Sequence, residues 1–327
     1  MERLNLIGLA AVIAMLVPLL LGAGPVPGVS PHKWDVAEGK VTYDEKARLT
    51  GEAPAPPGDL VFWYRQPARR WEPNALPIGN GYLGGMLFGG VQHERVQLNE
   101  HTLWSGSSKE GDTGAYQPLG DVLIDWDVAE AADYRRQLDL RDATHRVTYA
   151  SGDATVTREA FCSYPARVMV LRYTATKPGS FTGTIRFNDA HGAPSIINGS
   201  NITSAGALAN GLAYETQVNV AHEGGTLSAD GATLKVTGAD ALTIIIGAAT
   251  SYVADAARGF FGDPPHEAVT RIVRDAVATP SEQLKQAHVA DYQNLFGRVA
   301  LDVGPAPADA ALLPTDRRLA RYKQTPD

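Results

Sequence analysis

The feature that most constrains the fold of this chain is a succession of short β-rich runs, each closed by a turn-forming dipeptide. The runs are Thr144 to Ala150, Ala154 to Cys162, Val168 to Thr176, Phe181 to Asn188, Leu212 to Ala221, Thr226 to Ser228, Thr233 to Thr237 and Ala241 to Ala249, and Gly-Asp, Pro-Gly, Ala-Gly and Asp-Gly steps separate them. Segments of strand length with turn chemistry between them bury their apolar sides only by packing sheet on sheet. The sequence therefore predicts a mainly β fold, a large antiparallel β-sandwich. One stretch departs from this rhythm. From Pro265 to Phe296, Val269, Ile272, Val273 and Ala276 recur at helical spacing, Pro280 interrupts, and Leu284, Ala287, Val289, Tyr292, Leu295 and Phe296 resume. That pattern predicts a short helical linker of two helices.

Composition supports a sandwich and excludes several functions. With 327 residues, 44% of them hydrophobic, the chain is long enough for a sizeable core. A net charge of −7 and the absence of a Lys/Arg run leave no electrostatic footprint for nucleic acid. The single cysteine, Cys162, permits no internal disulfide, and its place at the end of an alternating run reads as a buried, unreactive thiol. The eight histidines show no metal-ligand spacing, so neither a metal nor another cofactor is expected. Asn198-Gly199-Ser200 and Asn201-Ile202-Thr203 fit the N-glycosylation pattern.

The N-terminus carries its own signal. Arg3 precedes an apolar stretch from Leu6 to Leu21, interrupted by Pro18 and followed by Gly22-Ala23-Gly24-Pro25, the layout of a secretory signal peptide. An uncleaved membrane anchor is the competing reading, because the stretch approaches the roughly 18 apolar residues of a spanning helix. Export to the periplasm or the exterior follows. No other membrane contact is expected.

The densest cluster of chemistry runs from Leu76 to Gly106, LPIGNGYLGGMLFGGVQHERVQLNEHTLWSG. Gly79, Gly81, Gly84, Gly85, Gly89 and Gly90 require a backbone that turns through positive φ or passes very close to another surface. A dinucleotide site would need an apolar strand before the glycines and a helix after them. Pro77 precedes them and β-type residues follow, so strand, turn and strand is the better reading, with Tyr82 to Phe88 and Val91 to Leu98 as the strands. Asn99, Glu100, His101, Thr102 and Trp104 then leave a sheet edge together. Binding residues are often presented on such loops.

These residues resemble the N-terminal β-sandwich region of family 95 glycoside hydrolases, the inverting α-L-fucosidases. The shared pattern takes in Val61 to Tyr64, Pro67, Ala68, Trp71, Ala75 through Gly90, Glu94 and Gln97 through Gly106. It continues at Tyr116 to Asp121, Tyr134 to Leu140, Arg158 to Phe161, His288 to Val299 and Leu313 to Leu319. Family 65 disaccharide phosphorylases and hydrolases share a GNGYLG-like turn more weakly. Between TLWSG and YQPLGD the family carries a helical insertion, which Ser107 to Ala115 replaces here.

The N-terminal pattern and the Pro/Gly-rich stretch after it give a signal peptide or anchor over residues 1–28 and a tail or linker over 29–59, and the resemblance implies the sandwich over 60–256 and a helical linker over 257–327. It also implies that catalysis belongs to an (α/α)6 barrel that follows the LPTD segment, so this stretch would be inactive alone. The apolar faces of the linker helices would then be exposed for want of a partner. No catalytic residue is assigned. Inverting hydrolysis needs an acid and a base roughly 6.5–9.5 Å apart, and each candidate has a plainer role: Glu94 as an exposed strand residue, Glu100 as a loop carboxylate, Asp121 and Asp125 as turn or strand-edge groups. Asn99, Glu100, Thr102 and Trp104 are the substrate-binding candidates, at a pocket edge or a domain interface. The partner expected is a glycan substrate, reached through an absent or separately encoded helical barrel. A non-catalytic carbohydrate-binding module and a docking subunit of a split enzyme are the alternatives.

Overall fold

The computed structural model describes residues 45–107, 111–302, 304 and 308–324. The predicted signal segment, and most of the predicted tail, lie outside the described residues. Among the described residues no helix is long and apolar enough to cross a membrane.

The described residues build two sheets. The larger joins β1 (Arg48–Thr50), β7 (Glu130–Asp139), β8 (Thr144–Ser151), β9 (Ala154–Ser163), β10 (Val168–Ala175), β17 (Ala241–Thr250), β14 (Ala213–Glu223), β13 (Asn201–Ala207) and β12 (Ser195–Asn198) in that order, with β2 (Val61–Tyr64) also paired to β7. The smaller joins β15 (Thr226–Asp230), β16 (Thr233–Ala239), β11 (Phe181–Asp189), β6 (Gly120–Trp126), β5 (His93–Glu100), β4 (Leu83–Leu87) and β3 (Leu76–Gly79). Every pairing is antiparallel except that of β1 with β7. The predicted antiparallel sandwich is the observed fold.

Alternation decides what each strand buries. Met169, Leu171 and Tyr173 of β10 and Leu242, Ile244 and Ile246 of β17 point inward against Val96 and Leu98 of β5, Val122 and Ile124 of β6, and Ile185 of β11. The intervening Val168, Val170 and Ile245 face outward into a second core. That second core is closed by α2 (His266–Val277) and α3 (Ser281–Phe296), α1 being the short turn Trp71–Asn74. Burial on both faces is why β17 reads as a nearly unbroken apolar run, Ala241 to Ala249.

The helix pair forms as predicted, with its break at Pro280, but its partner differs from expectation. Val269, Val273 and Ala276 of α2 are buried on the larger sheet, where the bare Gly247 makes room: a Cβ there would stand 2.6 Å from Val273 Cγ2. On α3, Leu284 and His288 are buried, His288 stacks on Phe161 at 5.1 Å between ring centroids, and Lys285 donates to Glu159 at 2.6 Å. The apolar stripe is therefore satisfied by the sandwich itself. Ala287, and Leu295 and Phe296 at its far end, stay exposed.

Two further short helices follow, α4 (Ala308–Ala311) and α5 (Thr315–Tyr322). The Thr315 hydroxyl accepts from the Trp63 amide at 3.0 Å, which ties the LPTD segment to β2.

Part of the segment read as a tail is built into the fold. Arg48–Thr50 pairs with Glu130–Ala132, and the Glu45 carboxylate accepts from the Val91 and Gln92 amides at 2.7 and 3.1 Å. Edge pairing of three residues, pinned by the Arg48–Glu130 ion pair at 2.6 Å, is too short to leave a periodic signature.

Candidate functional site

Three segments leave one end of the sandwich together: residues 101–107 and 111–116 after β5, residues 208–212 between β13 and β14, and residues 251–262 after β17. Between them lies a groove of about 710 Å³, lined by His101, Thr102, Trp104, Gly106, Ser107, Gly111, Asp112, Thr113, Asn210, Leu212, Tyr252, Gly259, Phe260 and Phe261.

Local bonding ties the segments of this groove to one another. Trp104 forms an isolated bridge with Tyr116, its indole N–H donates to the Thr113 carbonyl at 2.6 Å, and its ring rests 6.1 Å from that of Tyr116. Asn210 reaches across from the next loop, its side-chain amide donating to the Trp104 and Gly106 carbonyls at 2.9 and 2.8 Å. The third loop is wound tightly: Asp255 caps a 3-10 turn at Ala256–Arg258, and Tyr252 bridges Phe261. Phe260 is held at φ 68° by hydrogen bonds to Asp255 and Val253. A bulky aromatic in the left-handed region costs on the order of 1–3 kcal/mol, and such strain gathers at functional sites.

The result is an exposed aromatic floor. The rings of Tyr252 and Phe260 lie parallel to within 4° with centroids 6.4 Å apart. Trp104 remains 45% exposed although its indole N–H is already paired. Flat apolar faces flanked by a hydroxyl (Thr102) and a carboxylate (Asp112) suit a ring that has one C–H face and a rim of hydroxyls.

The structure divides the candidate residues. Thr102 and Trp104 line the groove. Glu100 lies buried behind it, accepting from the Thr102 amide and hydroxyl at 2.7 and 2.6 Å with His101 Nδ1 2.9 Å away, so it orders the loop rather than facing a ligand. Asn99 is directed to the Gln117 carbonyl at 3.5 Å and is not among the lining residues. Asn210, Tyr252, Phe260 and Phe261 escaped sequence reasoning. Their one signal is Gly259-Phe260-Phe261-Gly262, adjacent aromatics between glycines in a stretch with no strand or helix period.

The remaining carboxylates are held by cations away from the groove. Glu94, expected to be exposed, is instead sealed in the interior, where it pairs with Arg158 at 2.6 Å and accepts from the Gly89 and Gly90 amides. The reason is the Gly89-Gly90 turn, which folds its unpaired amides back over β5. Burial pushes the Glu94 carboxyl up, with Arg158 and the two amides opposing it. Burial works against the Arg158 charge, and Glu94 more than offsets it, so that guanidinium stands above its ordinary range. Asp121 is gripped by Arg95 through two bonds of 3.0 Å, and burial raises its carboxyl against that pairing. Burial opposes ionisation of Asp125, but bonds from His93 and Arg186 hold it below the usual range. Burial also raises the Cys162 thiol, which donates to the Leu83 carbonyl at 3.2 Å. Among the described residues no group of His, Cys, Asp and Glu converges as a metal site.

Residues 62–113 and 107–255 match the family model described as "Glycosyl hydrolase family 65, N-terminal domain". Among individual proteins, "Probable alpha-fucosidase A" of Aspergillus niger is 28% identical over 306 residues, covering 77% of this chain and 38% of that protein. "Alpha-L-fucosidase 2" of Arabidopsis thaliana is 27% identical over 326 residues, covering 79% and 38% respectively. "Probable alpha-fucosidase A" of Aspergillus oryzae is 27% identical over 286 residues, covering 70% and 39%. The chain thus spans about two fifths of the length of these relatives.

Proposed function

This chain belongs to the glycosyl hydrolase family 65 N-terminal domain family, and from that premise we propose that it is the N-terminal part of an exported, inverting α-L-fucosidase-type hydrolase of family 95 that acts on fucosylated glycans. The observation that carries this reading is the alignment of proteins named as α-fucosidases along 70% to 79% of the chain. The run Gln97 to Gly106, which resembles family 95 more closely than family 65, favours the former.

In this reading the groove holds part of a glycan and the chemistry is performed elsewhere in the protein. Glu94, Asp121 and Asp125 are each committed to a structural cation, and Glu100 to the loop it orders. None of them lines the groove, so none offers the acid and base that inversion requires. By itself the chain binds glycan without turnover.

Two other readings each draw on one feature. The exposed aromatic floor also suits a free carbohydrate-binding module. A second groove of about 710 Å³, between Leu60–Trp63 and Leu313–Arg318, suits a subunit that docks on a separately encoded helical barrel.

The deciding experiment measures hydrolysis of a fucosyl-α-1,2-linked oligosaccharide by the purified chain, alone and mixed with the product of any adjacent downstream frame, with binding followed by calorimetry. The expected result is binding without turnover by the chain alone and turnover in the mixture. Turnover by the chain alone would overturn the proposal. Binding with no turnover in either arm would identify the free binding module.

A further inference from the structure

The Gly79-Asn80-Gly81-Tyr82 turn does not line the groove, yet it is closely supported by its own side chains. The buried Asn80 side chain accepts from the Tyr82 and Leu83 amides at 3.0 and 2.8 Å. Its own amide donates to the Ser163 carbonyl at 2.9 Å, which ties this turn to the neighbouring one, Tyr164 to Arg167. Asn80 thereby sets Tyr82 beside Tyr164 and Arg167.

Tyr82 and Tyr164 stack at 5.7 Å between centroids, with Tyr164 half exposed. The Arg167 guanidinium lies 4.6 Å from the Tyr82 centroid and donates weakly to its hydroxyl at 3.4 Å. Arg167 is exposed, sits at φ 56°, and forms no ion pair among the described residues. Asp291 on α3 lies near enough to act on Tyr164, where its charge opposes that of Arg167. On the other side the His101 ring meets Tyr82 edge-on at 5.3 Å, and the His101 amide donates to the Tyr82 carbonyl at 2.9 Å. His101 also lines the groove, so the groove and the Tyr82–Tyr164–Arg167 cluster form one continuous surface.

We propose that this cluster is a subsite for an acidic sugar, a uronic acid unit of the same glycan whose neutral part occupies the groove. Tyr164 offers a face for stacking. Arg167, fixed by its turn and flanked by Tyr82, offers donors without a carboxylate partner, and a planar guanidinium can meet a carboxylate through two parallel bonds. The proposal rests on the glycan-binding reading of the groove and adds the charge of the ligand to it.

The test compares two fucosylated oligosaccharides that differ at one unit, galacturonic acid in one and galactose in the other, titrated into the full chain by calorimetry. The acidic ligand is expected to bind about tenfold more tightly at low salt, which corresponds to about 1.4 kcal/mol. That advantage should shrink at about 0.5 M salt, where exposed charges are partly screened. Arg167→Asn, which tolerates the left-handed backbone, should abolish the preference and leave the galactose ligand's affinity unchanged, while Arg167→Lys should keep part of it. Equal affinity of the natural chain for both ligands would overturn the inference and leave the glycan groove standing. Failure of both ligands to bind would remove the groove reading and this subsite with it.

Discussion

Glu94 on β5 and Arg158 on β9 meet at 2.6 Å across the interior of the sandwich, both sealed from solvent. They join the two sheets, and Glu94 also holds the Gly89-Gly90 turn through its backbone amides. Removing either partner strands the other as a lone buried charge. Glu94→Ala and Arg158→Ala should each cost about 3–5 kcal/mol, whereas the double change to Leu should cost clearly less than the sum. Denaturant unfolding of these variants, with the Glu94→Ala/Arg158→Ala double change closing the cycle, measures the coupling, and simple additivity of the two alanine changes would refute it.

Gly89 and Gly81 separate two reasons for a glycine. Both adopt positive φ, at 81° and 84°, but a Cβ on Gly81 meets nothing, whereas one on Gly89 would stand 2.6 Å from Arg136 Cδ and 2.8 Å from the Tyr134 hydroxyl. Gly81→Ala should cost about 1–2 kcal/mol, the left-handed penalty alone. Gly89→Ala should cost about 1–3 kcal/mol more through overpacking. Equal melting temperatures for the two variants would contradict this.

The pH dependence follows from buried histidines. His145 is fully buried with neither ring nitrogen paired, and burial, followed by the charges of Arg158, Arg136 and Arg146, holds it well below its ordinary 6.5. Burial likewise lowers His288. A histidine whose folded value is depressed contributes stability that is complete above its unfolded value and is lost as pH falls toward the folded one. Stability should therefore be level above about pH 6.5 and decline below it, before the carboxylates Asp139 and Glu159, which are held below their usual range, add a second loss at lower pH. His145→Leu should flatten the first decline and raise stability at neutral pH by about 1–2 kcal/mol by removing an unpaired buried polar ring. A plot of stability against pH that keeps its decline below about pH 6.5 in this variant would place the titration elsewhere.

Trp104 distinguishes binding from architecture. Its ring is 45% exposed, so Trp104→Ala should lower stability by only about 1 kcal/mol while abolishing glycan binding. Trp104→Phe should retain part of the affinity. Intact binding alongside a destabilised Trp104→Ala protein would make the tryptophan a structural plug.

The legibility of the molecule follows the range of the interactions that build it. The strand runs from Thr144 to Ala249 and the helix break at Pro280 were readable because alternation, turn dipeptides and proline act within a few residues. Strands β12 and β13 left no comparable trace, being short and set among polar residues, and β1 is three residues of edge pairing. At the candidate site, Thr102 and Trp104 stood in a dense motif. Asn210, Tyr252 and Phe260 come from loops more than a hundred residues away.

By itself the sequence determined the β-sandwich, the positions of its close-approach glycines and the helix pair that follows, because each depends on local periodicity or on the missing Cβ of glycine. Only the tertiary structure decided that Glu94 is buried, that the helices are spent on the larger sheet, and that Trp104, Tyr252 and Phe260 share one groove. Those outcomes depend on which strands become neighbours. Neighbourhood in a sheet is set by long-range packing and leaves no mark in the residues flanking any one of them.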